Sequence, residues 1–311
     1  MTKLSISAVE RDTGLSKDLL RAWERRYGFP CPERDASGDR LYPPDQLERL
    51  RLIRRLVDAG QRPGRLVALS PEALRAAADA LSRRAEPAHE AAGQATEPLI
   101  EELLSLVHAL RADTLRRTLS QACLRQGLGG FVIGTCAPLS QRIGEAWARG
   151  ELQVYEEHVF TEALQSVLRA AIGALPVASS GPKVLLATVP GEAHGLGLLM
   201  AEAMLALEAC VCTSLGTQTP VVDIAAAARA HPTDIVALSF SSCLPLGQVL
   251  SGLSELRARL PAGIALWAGG GSPALRRTLP EGVTAIHRLD DIAERVGCWR
   301  AAARQAPTGS A

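Results

Sequence analysis

The sequence predicts a multidomain protein that combines a small helical module, a four-helix bundle and an α/β doubly wound parallel sheet. Three observations carry this prediction. Short helical segments separated by Gly and Pro turns fill the first 70 residues. Residues 98–176 place apolar side chains at helical spacing almost throughout. Residues 182–305 instead alternate short apolar runs with helical segments, which is the pattern of parallel strands joined by crossover helices.

Composition allows each domain to bury a core. The 311 residues are 47% hydrophobic but only 4% aromatic, so aliphatic side chains must fill the interior. No apolar stretch reaches membrane length and the first residues show no secretory signal, so we expect a cytoplasmic protein without a membrane segment. The seven cysteines have no regular spacing, which favours buried free thiols over a zinc or redox site.

The charge is distributed unevenly along the chain. Residues 1–65 contain 14 Lys or Arg against 10 Asp or Glu, a local charge of +4, whereas the whole chain carries only +1. The remainder is therefore slightly acidic. A basic module attached to such a body is typical of a nucleic-acid reader with a separate sensor.

The amino-terminal module reads as helices around a hairpin. We predict a helix over 5–11, a second helix from the N-cap Ser16 to Arg25 or Arg26, a hairpin over 33–42 that turns at Ser37-Gly38, and a helix over 45–59 that Gly60 ends. Residues 83–97 carry no apolar stripe and read as a linker. The predicted domains are 1–75, a linker over 76–97, a bundle over 98–178 and a sheet domain over 179–305.

The bundle and the sheet domain follow from their periodicity. Four helices are predicted around 100–110, 115–126, 131–148 and 154–175. The predicted strands are 183–189, 210–215, 234–241, 264–268 and 283–287. A Gly-rich loop and then a helix to about Leu207 follow the first strand, and helices at 220–230 and 246–259 separate later strands. Ligands on such sheets bind beyond the carboxyl ends of the strands, so the loops that follow the strands are the place to look for a site.

The first module contains three spaced motifs in order: Leu20-Arg-Ala-Trp-Glu-Arg-Arg-Tyr-Gly28, Arg40-Leu-Tyr42 and Leu50-Arg-Leu-Ile53. Together they resemble the motifs of the MerR family. The resemblance implies a winged helix-turn-helix in which the helix at 16–26 enters the major groove of double-stranded DNA. By position it places Ser16, Lys17 and Arg21 at the groove, and Arg40 and Tyr42 of the wing on phosphates. Arg supplies charge-assisted hydrogen-bond donors both for the edges of guanine bases and for phosphates.

An operator with two half-sites also implies a homo-oligomer, either a dimer or a tetramer. The resemblance to metal-responsive relatives would imply a long dimerising coil with metal-binding cysteines beyond it. Here Pro63 and Pro71 interrupt that region, so oligomerisation is expected from the sensor.

The loop after the first strand reads Pro190-Gly-Glu-Ala-His-Gly-Leu-Gly197, which is Glu-x-His-x-x-Gly. It resembles the corrinoid-binding motif of Rossmann-like cobalamin-binding domains, whose usual first residue is Asp. The resemblance implies that His194 is the lower ligand of the cobalt, with Glu192 as its hydrogen-bond partner. It also implies that Gly197 lets the loop and the following helix approach the corrin closely. It also assigns Ser239, Gly269 and Gly270 at two strand ends to the nucleotide tail, whereas Ser241 stands where many members have Leu.

A second signature lies in the bundle, where Trp147 is followed after nine residues by Glu157-His158. This spacing resembles the light-responsive CarH and LitR regulators, in which the bundle caps adenosylcobalamin and Trp lies over the adenosyl group. Some of those photoreceptors form a second histidine–cobalt bond through the residue directly after this Trp. That residue is Ala148 here, and alanine cannot ligate cobalt.

These features predict a repressor that binds DNA as an oligomer when adenosylcobalamin is present and that light releases by cleaving the cobalt–carbon bond. The alternatives are a light-independent cobalamin sensor, a corrinoid carrier for a methyltransferase, and a regulator whose sensor answers to another ligand or partner. We expect no enzyme, because Glu157 and His158 are adjacent on one helix and should diverge by about 100°.

Overall fold

The structure is a computed structural model that describes residues 3–13, 15–35, 38–58, 63–84, 97–176, 178 and 181–305. The chain divides into two compact units. The first consists of Met1–Gln94 together with Arg142–Val154, and the second of Ala95–Gln141 together with Tyr155–Ala311. A segment predicted to belong to the bundle is thus grouped with the amino-terminal module. The predicted domain boundaries stay a prediction.

The described residues up to Arg84, in the first unit, form a three-stranded antiparallel sheet and five helices. The elements are β1 (Leu4–Ser5), α1 (Ile6–Thr13), α2 (Lys17–Tyr27), β2 (Glu33–Arg34), β3 (Arg40–Tyr42), α3 (Pro44–Asp58), α4 (Pro63–Leu66) and α5 (Pro71–Arg84). The sheet order is β1-β3-β2, so the predicted hairpin of β2 and β3 gains a third strand. Ser37, part of the predicted hairpin turn, and Gly60, the predicted end of the helix over 45–59, lie outside the described residues.

Helix α2 shows how local sequence sets its ends. The Ser16 side chain accepts a hydrogen bond from the backbone N–H of Leu19 at 3.2 Å, as the N-cap prediction requires. Gly28 ends the helix with φ +66°, and its N–H reaches the carbonyl of Glu24. Trp23 is buried in the core of the module, which leaves the polar side of the helix exposed.

Residues 76–84 belong to α5, whereas they were predicted as the start of the linker. Alanine, the strongest helix former, dominates this stretch. Leu74 is fully buried, and Ala77 packs against the same core, so the helix is anchored by tertiary contacts. The remaining predicted linker residues, 85–96, lie outside the described residues.

The helical part that follows contains α6 (Glu97–His108), α7 (Ala112–Phe131), a π-helical turn (Val132–Cys136), α8 (Ala137–Ala148) and α9 (Val154–Gly173). Sequence placed a gap between the second and third of these helices, over residues 127–130. In the structure, the helical backbone is interrupted only at Gly127 within this range. Its φ of +69° is accessible to glycine but energetically unfavourable for other residues. The helix then resumes and continues through the π-turn into α8.

The carboxyl-terminal part is the predicted doubly wound sheet. Its elements are β4 (Lys183–Ala187), α10 (Leu196–Leu207), β5 (Val211–Ser214), α11 (Val221–Ala230), β6 (Ile235–Phe240), α12 (Leu246–Arg259), β7 (Ala265–Gly270), a 3-10 turn (Pro273–Arg276), β8 (Val283–Ile286) and α13 (Asp291–Gln305). All pairings are parallel, in the order β5-β4-β6-β7-β8. Apolar strand side chains and the facing residues of α11 and α12 form its core.

The strand order changes direction at β4, which has β5 on one side and β6 on the other. At such a switch point the connections leave toward opposite faces of the sheet and open a crevice at the carboxyl ends of the strands. The loop after β4 and the loop after β6 therefore meet at one edge. These two loops carry Glu192, His194 and Ser241.

The cysteine prediction is wrong for three of the seven residues. Cys31, Cys243 and Cys298 are exposed, because two lie in surface loops and one on the outer side of α13, whereas Cys136 and Cys210 are buried. None of the seven, all of which lie within the described residues, forms a disulfide. Within the described residues, no helix is long and apolar enough to span a membrane.

Candidate functional site

The loop that follows β4 is braced by Thr188. Its hydroxyl donates to the carbonyl of Glu192 at 2.6 Å and accepts from the backbone N–H of Gln218 at 2.9 Å. Gly191 adopts φ +88°, which allows the chain to reverse between these residues. The loop therefore turns the Glu192 side chain back toward the sheet.

The Glu192 carboxylate is buried and uses both oxygens. Its side chain is 1% exposed. Oε1 accepts from the backbone N–H of His194 at 3.1 Å and lies 2.7 Å from Nδ1 of His194. Oε2 accepts from the N–H and the hydroxyl of Ser241, at 2.7 and 2.8 Å. Burial acts to raise the pKa of Glu192, but the hydrogen bonds from His194 and Ser241 outweigh it and hold that pKa below its ordinary value.

The His194 side chain extends outward from this carboxylate and is 57% exposed. Hydrogen bonds with the side chains of Cys243 and Glu192 raise the pKa of His194 to about 10. Because Nδ1 is engaged by Glu192, Nε2 is the nitrogen with which the ring can bind a metal. A carboxylate behind an imidazole fixes the tautomer and increases its basicity, which is the usual support of a metal-ligating histidine.

Ser241 and Cys243 are site residues that the sequence reasoning missed. Ser241 was treated only as a departure from the usual Leu, yet its hydroxyl bonds Glu192 and lies 3.2 Å from Nδ1 of His194. The same hydroxyl accepts the N–H of Cys243 at 3.1 Å. The presence of Ser in place of the usual Leu was the feature of the sequence that could have identified Ser241. A hydroxyl just beyond a strand end can donate a hydrogen bond to a carboxylate in the adjacent loop.

Gly197 and Ser239 make a close approach between helix α10 and strand β6. A Cβ atom at Gly197 would lie 2.7 Å from the Ser239 hydroxyl oxygen, which is shorter than real contacts allow. Sequence reasoning attributed this glycine to the approach of a corrin ring. The structure supplies a requirement within the protein itself, because the first turn of α10 must pass Ser239.

The two glycines at the end of β7 are also held by backbone neighbours. Gly269 pairs with Ser239 and Gly270 with Phe240 across the parallel strands. Gly270 has φ +112°, and a Cβ atom there would lie 2.2 Å from the Phe240 carbonyl oxygen. A side chain at this position would therefore force the two strand ends apart. The structure thus brings Gly197, Ser239, Gly269 and Gly270 together with the His194 loop at one edge of the sheet.

Glu157 and His158 lie in the first turns of α9, and their side chains meet. Nδ1 of His158 is 2.8 Å from Oε2 of Glu157, whose other oxygen accepts from the Thr161 hydroxyl at 2.6 Å. The Glu157 and His158 side chains were expected to point in different directions. Their terminal atoms nevertheless meet, because both side chains are long enough to bend toward each other. The His158 side chain is 71% exposed.

Trp147 is half-buried near the end of α8, in the segment grouped with the first unit. The second unit contains Glu157, His158 and the His194 loop. The expectation that Trp147 and His158 face one pocket stays a prediction. Among the described residues, no group of three or more His, Cys, Asp or Glu side chains could hold a metal ion.

The residues predicted to bind DNA lie on α2 and the hairpin of the first unit. Ser16, the N-cap of α2, and Arg21 on the helix are exposed, and the Lys17 Nζ lies 3.5 Å from a carboxylate oxygen of Glu10. Arg21 lies 3.4 Å from Asp18. These exposed ion pairs are weak and can exchange for phosphate contacts.

The two wing residues differ in accessibility. Arg40 is held by Glu24 of α2, with its Nε 2.8 Å from Oε2. Tyr42 is fully buried, and among the residues that the structure describes its hydroxyl has no hydrogen-bond partner. This placement differs from the expected phosphate contact. Tyr42 pairs with Leu4 across the sheet, and the Tyr42 ring packs in the core of the module.

Comparison with known protein families gives two matches. Residues 4–68 match the model of the MerR HTH family regulatory proteins, and residues 99–172 match a B12 binding domain. Two curated relatives from Myxococcus xanthus are similar over most of the chain. The HTH-type transcriptional repressor CarA is 32% identical over 238 residues, which is 76% of each chain. The repressor CarH is 29% identical over 278 residues, 88% of this chain and 90% of CarH.

Solved structures with a similar arrangement include corrinoid proteins. The monomethylamine corrinoid protein of Methanosarcina barkeri gives a TM-score of 0.48 at 12% identity, over 64% of this chain and 97% of its own. A cobalamin-binding protein of Desulfitobacterium hafniense gives 0.30 at 18% identity, over 66% and 97%.

Proposed function

Because this chain belongs to the family of MerR-type transcriptional repressors that includes CarA and CarH, we propose that it is a DNA-binding transcription regulator that senses cobalamin. The observation that carries the sensing role is the outward-facing His194 supported by the buried Glu192. We further propose that it represses transcription, acts as a homo-oligomer and resides in the cytoplasm.

The residues at the switch point fit the lower face of a cobalamin. His194 would ligate the cobalt through Nε2, and Glu192 would hold its Nδ1. Ser241 would keep the carboxylate in place by donating to its second oxygen. Gly197, Ser239, Gly269 and Gly270 would leave space between strand ends for the nucleotide tail. This donor set suits a ring that already supplies four nitrogens, because the protein needs to add only one.

The adenosyl form and the response to light are the finer part of the proposal. Adenosylcobalamin supplies a cobalt–carbon bond that light can cleave. Trp147 would cover the upper group, and Glu157 with His158 would border it. Ala148 favours the second candidate, a light-independent cobalamin sensor, because the residue after Trp147 carries no metal ligand.

On the DNA side, α2 would enter the major groove, with Ser16, Lys17 and Arg21 near the bases and Arg40 on a phosphate. For Tyr42 we propose a supporting role, since burial beneath the wing leaves its hydroxyl no path to a phosphate in this arrangement. The close spacing of α2 and β3, joined by Glu24 and Arg40, supports simultaneous contact by helix and wing.

The test is an absorption titration with adenosylcobalamin in darkness, followed by operator binding and molecular mass before and after green light. We expect a coloured, stoichiometric complex that His194→Ala abolishes or changes spectrally. His231→Ala, at an exposed histidine of the same domain, is the matched control. A spectrum and affinity unaffected by His194→Ala would remove the cobalt-ligand assignment.

Illumination separates the two candidates. A change in operator binding and mass on illumination supports light sensing. An equal response to methyl-, hydroxo- and adenosylcobalamin, unchanged by light, supports the light-independent sensor. If no complex forms at all, the sensor answers to another ligand or partner.

A further inference from the structure

The indole of Trp147 lies against the DNA-binding module. The guanidinium carbon of Arg51, on α3, is 5.2 Å from the centre of the Trp147 ring, which is cation–π distance. Both residues are half-buried and both belong to the first compact unit. The sensor signature residue is thus in contact with the module that reads DNA.

A second contact fixes the same segment on the same helix. Gly150 follows α8 with φ +75°, and a Cβ atom there would lie 3.4 Å from Nη1 of Arg51 and 3.7 Å from Cγ of Glu48. Glu48 is in turn held by Arg75 at 2.6 Å. The turn after α8 therefore rests on a side-chain surface of α3 that other contacts keep in place.

Helix α3 is directly linked to the wing. It begins at Pro44, two residues after the last residue of β3, the strand that carries Arg40. A segment that holds α3 therefore also restrains the carboxyl end of the wing. Only α3 and Pro43 therefore separate the Arg51–Trp147 contact from the wing strand along the chain.

We propose that Arg51 is a positioning residue that docks the segment 142–154 on α3 when cobalamin is absent. This inference rests on the proposed function, in which Trp147 covers the upper group of the cofactor. Arg51 and the cofactor then compete for the same indole, and cofactor binding releases α3 and the wing for the operator. The ligand shifts the equilibrium because it binds only the released arrangement.

The experiment measures operator affinity of the full chain with and without adenosylcobalamin in darkness, for the unchanged protein, Arg51→Met, Arg51→Lys and Arg65→Met. Met keeps the length of the side chain but removes the cation. Lys keeps the cation and tests for rescue. Arg65 is exposed on α4 of the same module and controls for the loss of one positive charge.

Arg51→Met should raise the affinity of the cofactor-free protein by about two- to tenfold, the range that one cation–π contact supports. The cofactor-loaded affinity should not change, so the response to cofactor becomes smaller. Arg51→Lys should behave like the unchanged protein, and Arg65→Met should not raise the cofactor-free affinity. Hydrogen–deuterium exchange of residues 44–58 should rise in cofactor-free Arg51→Met.

An unchanged or lower cofactor-free affinity for Arg51→Met overturns the inference, as does an equal increase for Arg65→Met. Cobalamin uptake, measured by absorption spectroscopy, distinguishes failure of the docking role of Arg51 from failure of the proposed cobalamin-sensing function. Normal uptake with an unaltered response in Arg51→Met removes the docking role alone. Absence of uptake by the unchanged protein removes the proposed function and the competition together.

Discussion

Nδ1 of His194 lies 2.7 Å from Oε1 of Glu192, so an exposed imidazole is supported by a carboxylate that is itself buried. The arrangement separates two tasks. Glu192 is fixed by the sheet edge through Ser241, and His194 presents its ring to the crevice. A ligand that binds the ring therefore meets a histidine whose orientation is set in advance.

The first prediction concerns this support. Glu192→Gln should weaken cobalamin binding by about 10- to 100-fold, because the amide holds His194 less strongly and does not increase its basicity. Spectroscopic titration of each variant measures the affinity. Glu255→Gln, at an exposed residue of α12 paired with Arg259, is the control and should bind normally. Equal affinity of the two variants would contradict the role given to Glu192.

The second prediction concerns the close approach of α10 and β6. Gly197→Ala places a Cβ atom 2.7 Å from the Ser239 hydroxyl oxygen and should lower the free energy of unfolding by about 1–3 kcal/mol. Adding Ser239→Ala removes that oxygen and should restore part of the loss. Urea denaturation of the two single variants and the double variant measures the interaction. Strictly additive effects would show that the two residues do not meet.

The third prediction concerns Glu202 on α10. Burial raises the pKa of this carboxyl, and the charge of Arg169 only partly opposes it. A raised pKa in the folded state means that stability is lost as pH rises from the ordinary glutamate value through the folded-state value. Glu202→Gln should therefore unfold at higher urea than the unchanged protein at pH 7. The difference should shrink below the ordinary glutamate pKa, and a gain that is constant with pH would refute this reading.

The fourth prediction concerns the wing. If Arg40 leaves Glu24 for a phosphate when DNA binds, Arg40→Met should weaken binding to all sequences and reduce the slope of log affinity against log salt by about 1. Electrophoretic or fluorescence titrations at several salt concentrations give this slope. Arg65→Met should leave the slope unchanged. A loss that is specific to one operator base would assign Arg40 to base reading instead.

Much of the fold could be predicted from the sequence, because capping residues and the spacing of apolar residues are patterns among neighbours in the chain. Ser16 and Gly28 mark the ends of α2 by capping chemistry, and the alternation of apolar runs and helices predicted the parallel sheet. The chain order of Glu192, His194 and Gly197 identified the loop. The helix α5 was not predicted, because Leu74 and Ala77 hold it through contacts with a core that is distant in sequence.

The sequence by itself determined that this chain has an MerR-type module and a histidine loop beyond a buried strand, because caps, periodicity and motifs need only neighbouring residues. The tertiary structure decided what those residues touch. The reversal of strand order at β4 brings Ser241 to Glu192, packing buries Tyr42, and the turn after α8 rests on Arg51. These relationships join residues far apart in the chain, and only the packing of complete elements can set such distances.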